Sequence, residues 1–259
     1  MRTQKPPSCG IAVMAKASLP GKTKTRLVPP LTFAEAAAFN TAFLKDVAAN
    51  MAAAGRATPI APYMAFGPPG TEDFFTTVLP SVGLIEAWHA NFGDCLFAAI
   101  EALLARGHAG AVVLNSDSPT LPAALLAETA RMLAQPGDRA VLGPARDGGY
   151  YLLGLKAPHR RLFEDVAWST ETVARQTRER AAEIGLAVHV LPEWYDVDDL
   201  DSLRMLRAEL FAQPAHGAHA PRRVPGAAAH TAALFADLLA RTDLASRLDG
   251  VPALQGAAG

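Results

Sequence analysis

Short apolar segments alternate with longer helical patterns along most of this chain, and this alternation restricts its fold more than any other feature. Cys9–Ala15 is an uninterrupted apolar run that ends in a basic loop containing Pro20 and Gly21. Phe33–Ala54 then carries apolar residues at helical spacing with few helix-breaking residues. Strands and helices that alternate in this way form a mostly parallel sheet with helices on both faces. The sequence therefore predicts a three-layer α/β/α fold.

The following segments repeat this pattern. Further strands are predicted over residues 59–66, 83–88, 109–115, 140–143, 150–155 and 186–191, and further helices over 71–79, 93–106, 122–134, 170–184 and 198–211. Ala109–Asn115 is the most continuous of the strand patterns, and it leads directly into the polar Ser116, Asp117 and Ser118. Polar residues are thus expected at the carboxyl end of a buried strand, where open α/β sheets bind their ligands.

The composition of the chain changes after residue 212. Residues 213–226 are rich in Ala, His, Pro and Gly and are interpreted as a linker between a domain over 1–212 and a helical tail over 227–259. One amphipathic helix is predicted over 227–248, and it could cover an apolar face of the domain or join two copies in a homodimer. The tail histidines are interpreted as solvated rather than metal-binding.

Charge and cysteine content exclude several classes of protein. The chain has 24 Lys and Arg against 25 Asp and Glu, so it has no overall field to attract nucleic acid or an anionic membrane. No stretch reaches the roughly 18 apolar residues of a membrane helix. Cys9 and Cys95 are interpreted as free thiols of a cytoplasmic protein. An anionic ligand must therefore be held by a local cluster of basic residues.

The basic loop after the first predicted strand is the best candidate for that cluster. Glycine allows the backbone to approach an anion, and lysine and arginine supply charge-assisted hydrogen bonds to phosphate. The candidate phosphate-binding residues of this loop are Lys16, Gly21, Lys24, Thr25 and Arg26. Spacing differs from that of a Walker loop. The alternative is a solvated surface loop, which a run of charges often forms.

Three aspartates are predicted to hold a divalent cation. Asp117 follows a buried strand, and Asp196 and Asp198 follow the last strand two residues apart, so that in an extended segment they face the same side. Carboxylate oxygens are the ligands that Mg²⁺ or Mn²⁺ prefers, and such an ion would bring phosphates to the site. The alternative is that Asp117 and Asp198 serve as turn or helix-cap residues.

A tight polar turn is predicted to line the acceptor side of the site. Asp147, Gly148 and Gly149 lie between two predicted strands, and Tyr150 begins the second strand. Glycines let this turn approach a substrate closely, and Asp147 is a candidate base. The alternative is that these residues only form the turn. Three further candidates are Ser169 and Thr170 for substrate binding and Asp94 for nucleotide binding, and helix capping is the alternative role for them.

Several segments together resemble a bacterial family of glycosyltransferases that includes arsenosugar-biosynthesis transferases. The resemblance lies in residues 15–32, 116–121, 143–152, 168–170 and 196–198. Its most specific parts are Lys-Thr-Arg-Leu at 24–27 and Asp-Gly-Gly-Tyr-Tyr at 147–151. The resemblance implies a Rossmann-like fold of glycosyltransferase-A type. The basic loop is also similar to that of guanylyltransferases acting on phospholactate or phosphoenolpyruvate, which implies metal binding by Asp117, Asp196 and Asp198.

Three functions are compatible with these features. The resemblance favours glycosyl transfer from a nucleotide sugar to a small-molecule acceptor, with Asp117, Asp147 and Lys24 as catalytic residues. The number of basic residues in the loop favours nucleotidyl transfer from a nucleoside triphosphate, because a triphosphate needs more positive charge. A non-catalytic nucleotide sensor or scaffold is the third alternative.

Overall fold

The computed structural model describes residues 8–211 and 228–250, which form a seven-stranded sheet with helices on both sides. The strands are β1 Cys9–Ala15, β2 Ile60–Phe66, β3 Gly83–Glu86, β4 Gly110–Leu114, β5 Ala140–Pro144, β6 Tyr150–Leu155 and β7 Val188–Val190. The helices are α1 Phe33–Gly55, α2 Glu72–Val78, α3 Phe92–Ala105, α4 Ala123–Ala134, α5 Val173–Glu183, α6 Leu200–Phe211, α7 Ala229–Arg241 and α8 Leu244–Gly250.

The strand order is β3-β2-β1-β4-β6-β5-β7, and β6 alone runs antiparallel to its neighbours β4 and β5. β1 pairs with β2 on one side and with β4 on the other, and all three are parallel. The loops that leave the carboxyl ends of β1 and β4 therefore lead in opposite directions and open a crevice between them. The mostly parallel three-layer sheet predicted from the sequence is confirmed.

Two apolar layers bury the faces of the sheet. α1 and α4 cover one face, where Leu44, Met51 and Leu126 pack on the odd-numbered residues of β1. α3 covers the other face with Ile100 and Leu103. The central strands β1, β4, β5 and β6 are buried on both faces, which explains why their sequences are continuous apolar runs instead of alternating patterns. This rigid centre fixes the ends of β1 and β4, from which the polar loops emerge.

α1 begins where the sequence places it because of a capping box. The Thr32 hydroxyl accepts from the Glu35 amide at 3.2 Å, and the Glu35 carboxylate accepts from the Thr32 amide at 2.7 Å. Two amides that the first helical turn leaves without partners are thereby satisfied. This cap also ends the basic loop, since Leu31 and Leu27 are buried directly before it.

The described part of the tail forms two helices where the sequence predicted one. α7 ends at Arg241 and α8 begins at Leu244, so the predicted single helix over 227–248 is wrong at this break. The Thr242 hydroxyl accepts from the Leu244 amide at 3.2 Å, which favours a new helix start there. Both helices pack on α1 and α6, in a third apolar cluster that includes Phe39, Phe235 and Leu248. The predicted linker 213–226 lies outside the described residues.

Asp46 fixes the start of α7 on α1. This buried carboxylate accepts from the amides of His230 and Thr231 at 2.9 and 2.8 Å and from the Thr231 hydroxyl at 2.5 Å. The tail therefore covers an apolar face of the domain, which was one of the two arrangements predicted for it. The other arrangement, a homodimer joined by the tail, stays a prediction. Among the helices of the described ranges, none is both long and apolar enough for a membrane span.

Candidate active site

A cleft of about 540 Å³ opens between the carboxyl ends of β1 and β4. Its walls come from the basic loop, the segment after β3, the start of α3 and the segment after β4. Seven of the residues predicted to form the site line it, namely Lys16, Lys24, Thr25, Arg26, Asp117, Tyr150 and Asp198. The structure thus brings the basic loop and two of the predicted metal ligands to one place, at the switch point of the sheet.

Lys24 lies at the centre of the charged groups in this cleft. Its ammonium lies 2.7 Å from Asp117 Oδ1 and 2.8 Å from Asp198 Oδ1, and it donates to the Val197 carbonyl at 2.9 Å. Only 5% of the side chain is exposed. The Lys24 backbone is left-handed with φ 52°, which costs a non-glycine residue about 1–2 kcal/mol. Three polar partners hold the lysine in this conformation.

Lys24 and Asp198 shift each other's pKa. Burial alone would lower the pKa of Lys24, but Asp117 and Asp198 outweigh burial and raise it. Burial would raise the pKa of Asp198, but Lys24 and then Arg26 lower it. Arg26 forms an ion pair with Asp198, but its side chain is 74% exposed, so water weakens the electrostatic attraction between the two groups.

Asp196, the third predicted metal ligand, lies near these groups but outside the cleft wall. Its pKa is raised to about 6, first by burial and then by the nearby charges of Asp198, Asp147 and Asp117. Four carboxylates therefore lie in one region where the paired cations are Lys24 and Arg26. The neighbouring carboxylates disfavour the charged form of Asp196, and a cation bound beside it would relieve this repulsion.

The donor set fits a divalent cation in its chemistry. Asp117, Asp196 and Asp198 offer the hard oxygen ligands that Mg²⁺ and Mn²⁺ prefer. Burial and then the neighbouring carboxylates raise the pKa of Asp196, and a bound cation would offset that effect. In the geometry shown, the Lys24 ammonium bridges two of these three carboxylates. Across residues 8–211 and 228–250, no three His, Cys, Asp or Glu side chains are grouped as ligands of one ion.

The predicted acceptor turn lies beside the cleft and not in its wall. The Asp147 carboxylate accepts from the Gly149 amide at 2.9 Å, which closes the turn between β5 and β6. Gly148 has φ 86°, and a Cβ atom there would lie 2.0 Å from the Glu171 carbonyl oxygen. The Gly148 carbonyl also accepts from the Ala174 amide at 2.9 Å. Close packing against the start of α5 is thus sufficient to explain this glycine.

Ser169 and Thr170 lie outside the cleft wall, on the segment that precedes α5. The predicted start of this helix at 170 is wrong, because Thr172 is the residue before its first turn. The Thr170 hydroxyl instead donates to the Ala167 carbonyl at 2.7 Å and lies 2.8 Å from the Thr172 hydroxyl. These bonds stabilise the local turn.

Gly21 and Asp94 also lie outside the cleft wall. Gly21 forms an exposed turn with φ 74°, and the conformation accounts for the glycine. Asn91 is the cap of α3 and accepts from the Asp94 amide at 2.8 Å. The Asp94 carboxylate pairs with Arg160, so it does not present the free anion-binding helix end that the sequence suggested.

Trp88 and Asn115 are cleft residues that the sequence reasoning did not select. Trp88 is 48% exposed. Its ring lies so close to Gly67 that a Cβ atom at position 67 would be 2.2 Å from it, so only glycine fits at that position. The Lys16 ammonium lies 5.9 Å from the centre of the same ring. The sequence could have indicated both residues as ligand-site candidates, because each is the last residue of a predicted strand.

A sheet with this strand order, whose cleft combines a basic loop with strand-end aspartates, has the architecture of nucleotide-diphospho-sugar transferases. Residues 50–170, somewhat less than half of the chain, match the profile of the family described as "Uncharacterized protein conserved in bacteria (DUF2064)". No curated protein matches the chain.

Solved structures give a wider comparison. A protein of Desulfovibrio desulfuricans G20, provisionally named a nucleotide-diphospho-sugar transferase, is 26% identical with a TM-score of 0.75, over 90% of this chain and 95% of that one. CMP:2-keto-3-deoxy-manno-octonic acid synthetase, solved with CTP, is 14% identical with a TM-score of 0.50, over 78% and 97%. 4-Diphosphocytidyl-2C-methyl-D-erythritol synthase of Anaerococcus prevotii DSM 20548 is 11% identical with a TM-score of 0.51, over 79% and 96%.

The last two likenesses concern the fold alone. Together with the Desulfovibrio protein they confirm the predicted fold class. The Desulfovibrio protein, at 26% identity, also confirms the resemblance predicted from the sequence and supports the assignment of the chain to the transferases.

Proposed function

We propose that this protein is a metal-dependent glycosyltransferase that transfers a sugar from a nucleotide diphosphate sugar to a small-molecule acceptor. The Desulfovibrio protein supports a donor of this kind, because it is similar over nearly all of both chains. The cleft supports a phosphate-containing ligand, because the lysines of the basic loop face it at the switch point of the sheet.

The pairing of Lys24 and Arg26 is the observation that favours glycosyl over nucleotidyl transfer. Both cations are engaged by Asp198, and Lys24 also by Asp117. Lys16 and Lys22 line the cleft, and neither forms an ion pair within residues 8–211 and 228–250. The loop therefore offers less unpaired positive charge than its composition suggests, and that charge suits a diphosphate better than a triphosphate.

The residues can be given roles on this basis. Lys16 and Lys22 would bind the donor phosphates, and Asp117, Asp196 and Asp198 would hold Mg²⁺ or Mn²⁺. Such an ion, when bound, neutralises negative charge on a leaving diphosphate. Asp147, whose carboxylate is oriented by the Gly149 amide, would accept the proton of the acceptor hydroxyl.

Product analysis tests this proposal. The protein is incubated with Mg²⁺ and either nucleotide sugars or nucleoside triphosphates, with water as the slow acceptor, and nucleoside diphosphate and pyrophosphate are measured. Release of nucleoside diphosphate from a nucleotide sugar is expected. Release of pyrophosphate would contradict glycosyl transfer and support nucleotidyl transfer, and tight binding without turnover of either donor would support a non-catalytic protein.

Asp117→Ala provides the matched variant. We expect it to abolish metal-dependent nucleotide binding, measured by calorimetry, while circular dichroism shows an intact fold. Asp73→Ala removes an exposed carboxylate from α2 and should bind like the wild type. Unchanged affinity in Asp117→Ala would contradict the proposed role of this carboxylate.

A further inference from the structure

Two buried polar atoms at the cleft have no hydrogen-bond partner within residues 8–211 and 228–250. They are Oδ1 of Asn115 and the hydroxyl of Tyr150, and both residues line the cleft. The other described residues with such atoms lie away from its wall, namely Thr58, Arg139, Thr177, Arg180 and Trp194. Because buried polar groups are nearly always hydrogen-bonded, two unsatisfied atoms in one cleft point to partners that a ligand supplies.

Asn115 and Tyr150 are close neighbours in the sheet. Asn115 directly follows β4 and Tyr150 begins β6, which is antiparallel to β4. The Asn115 amide donates to the Tyr151 carbonyl at 2.8 Å, so Tyr151 lies opposite Asn115. Tyr150 packs in the same apolar layer as Val113, and Asn115, two residues after Val113, is expected on that face as well. Both side chains line the cleft, where one ligand group can contact them.

The hydrogen bonds around Ser118 fix which end of the Asn115 amide is free. The Ser118 hydroxyl donates its single proton to the Tyr195 carbonyl at 2.8 Å. Its contact with Asn115 at 3.1 Å must therefore use Nδ2 of Asn115 as the donor. The opposite orientation of the amide would place two acceptors against each other. The group of Asn115 without a partner is thus an acceptor.

Tyr150 contributes the complementary group. Burial raises the pKa of its phenol, so the hydroxyl keeps its proton at neutral pH. It can donate, and Asn115 Oδ1 can accept. A hydroxyl group on a ligand satisfies both at once, because it accepts one hydrogen bond and donates another.

The position of this pair indicates which part of the ligand carries the hydroxyl. Asn115 lies two residues before Asp117, next to the charged groups, whereas the exposed ring of Trp88 lies after β3 at the other side of the cleft. In a nucleotide or a nucleotide sugar, the groups attached directly to the phosphates are sugars. We propose that Asn115 and Tyr150 form a subsite for a sugar hydroxyl of the donor, belonging either to the ribose or to the transferred sugar. This inference rests on the proposed function.

Ligands that lack the hydroxyl test the subsite. Dissociation constants are measured by calorimetry with Mg²⁺ for ATP, CTP, GTP and UTP and for their 2′,3′-dideoxy counterparts, on the wild type and on Tyr150→Phe and Asn115→Ala. If the ribose occupies the subsite, the wild type should prefer the ribonucleotide by about tenfold, the size of one to two hydrogen bonds. Both variants should lose most of this preference and bind the dideoxy form as the wild type does.

A second arm distinguishes the two sugars. The same proteins are compared with UDP, UDP-glucose, GDP and GDP-mannose. If the transferred sugar occupies the subsite, the variants should bind nucleotide sugars about tenfold more weakly, relative to the matching diphosphates, than the wild type does. In that case the wild type should show no preference for ribonucleotides over their dideoxy counterparts. Variants that weaken all ligands equally, or none, would overturn the inference. A wild type that binds no nucleotide at all would instead remove the proposed function, and the inference with it.

Tyr63→Phe is the matched control. It removes a phenol hydroxyl that contacts His108 at 3.0 Å outside the cleft wall, and it should leave every ligand ratio unchanged. The Tm values of the two tyrosine variants, Tyr150→Phe and Tyr63→Phe, should also differ in the absence of ligand. Tyr150→Phe loses no hydrogen bond within the protein, so its Tm should equal or exceed that of the wild type, whereas Tyr63→Phe should have a lower Tm. A lowered Tm for Tyr150→Phe would show that its hydroxyl already has a partner, and would overturn the inference.

Discussion

Two ion-pair clusters contact the basic loop, one at Lys24 and the other at the end of the loop before α1. We call Lys24, Asp117, Asp196 and Asp198 the cleft cluster, and Glu35 with Arg247 the tail cluster. In the tail cluster Arg247 of α8 contacts both carboxylate oxygens of Glu35, at 2.7 and 2.9 Å, and also donates to the Pro30 carbonyl. One cluster faces a cleft, and the other joins the tail to the end of the loop.

The balance of charge distinguishes the two clusters. Burial alone would raise the pKa of Glu35, but hydrogen bonds from Arg247 and from Thr32 outweigh it and lower the pKa. In the cleft cluster, the pKa of Asp196 is raised to about 6. The tail cluster satisfies its buried carboxylate within the fold, as a structural ion pair must. The cleft cluster leaves a carboxylate in an unfavourable environment, which is typical of ligand sites.

The largest effect that separates the clusters is expected for Lys24→Met. Without Lys24, two partly buried carboxylates lose their shared partner, and we expect activity to fall at least about a hundredfold. The free energy of unfolding should fall by about 1–3 kcal/mol, less than for a fully buried pair because both carboxylates are about one quarter exposed. Turnover and urea unfolding measure these changes. Added Mg²⁺ should then raise the Tm of the variant more than that of the wild type.

Arg247→Ala should instead affect stability alone. Its removal leaves the carboxylate of Glu35, which is 10% exposed, without its cation and the Pro30 carbonyl without a donor. We expect the free energy of unfolding to fall by about 2–3 kcal/mol. Nucleotide affinity of the folded variant, measured by calorimetry, should match the wild type, and Mg²⁺ should give no added rise in Tm. A loss of affinity would mean that the tail cluster also acts on the cleft.

Asp46→Ala tests how the tail is attached, independently of both clusters. It removes the acceptor of two amides and one hydroxyl at the start of α7, which should cost about 1–2 kcal/mol of unfolding free energy. Asp237→Ala removes an exposed carboxylate of α7 that pairs with Arg241, and should cost less than about 0.5 kcal/mol. Equal losses in the two variants would contradict the capping role of Asp46.

The smallest effect is a pH dependence of the tail cluster. Because folding lowers the pKa of Glu35, this residue adds stability above its usual pKa of 4.5, and the added stability is lost as the pH falls from 4.5 through the lowered value. Urea unfolding of the wild type and of Glu35→Gln should therefore differ most at neutral pH and converge as the pH falls below about 4. A difference that stays constant with pH would contradict the role of the charge.

The sequence predicted the elements of the sheet more closely than the detail of the site. β1 and β6 have the predicted bounds, and α1 differs by one residue, because continuous apolar runs and the Thr32 cap are local signals. The break between α7 and α8 was missed, since the amphipathic pattern continues across Thr242 and Asp243. The start of α5 was predicted too early because Thr170 has the residue type of a cap.

Within the site, the sequence found the charged residues but not their partners. Lys24, Asp117 and Asp198 were all selected, because basic and acidic residues at strand ends are visible in a one-dimensional pattern. That Lys24 bridges the two aspartates could not be predicted. Asp117 and Asp198 are 93 and 174 positions from Lys24 in the sequence, and they meet it only through the packing of the sheet.

The local chemistry of the chain thus determined which segments become strands, which become helices, and which loops carry charge. Tertiary structure alone decided how that charge is balanced. It paired Lys24 with the carboxylates of two distant loops and engaged Asp94 with Arg160. It also left Asn115 Oδ1 and the Tyr150 hydroxyl without a hydrogen-bond partner in the described part of the chain. The physical reason is that hydrogen bonding and charge balance depend on distances of a few ångströms between groups, which the order of residues along the chain does not specify.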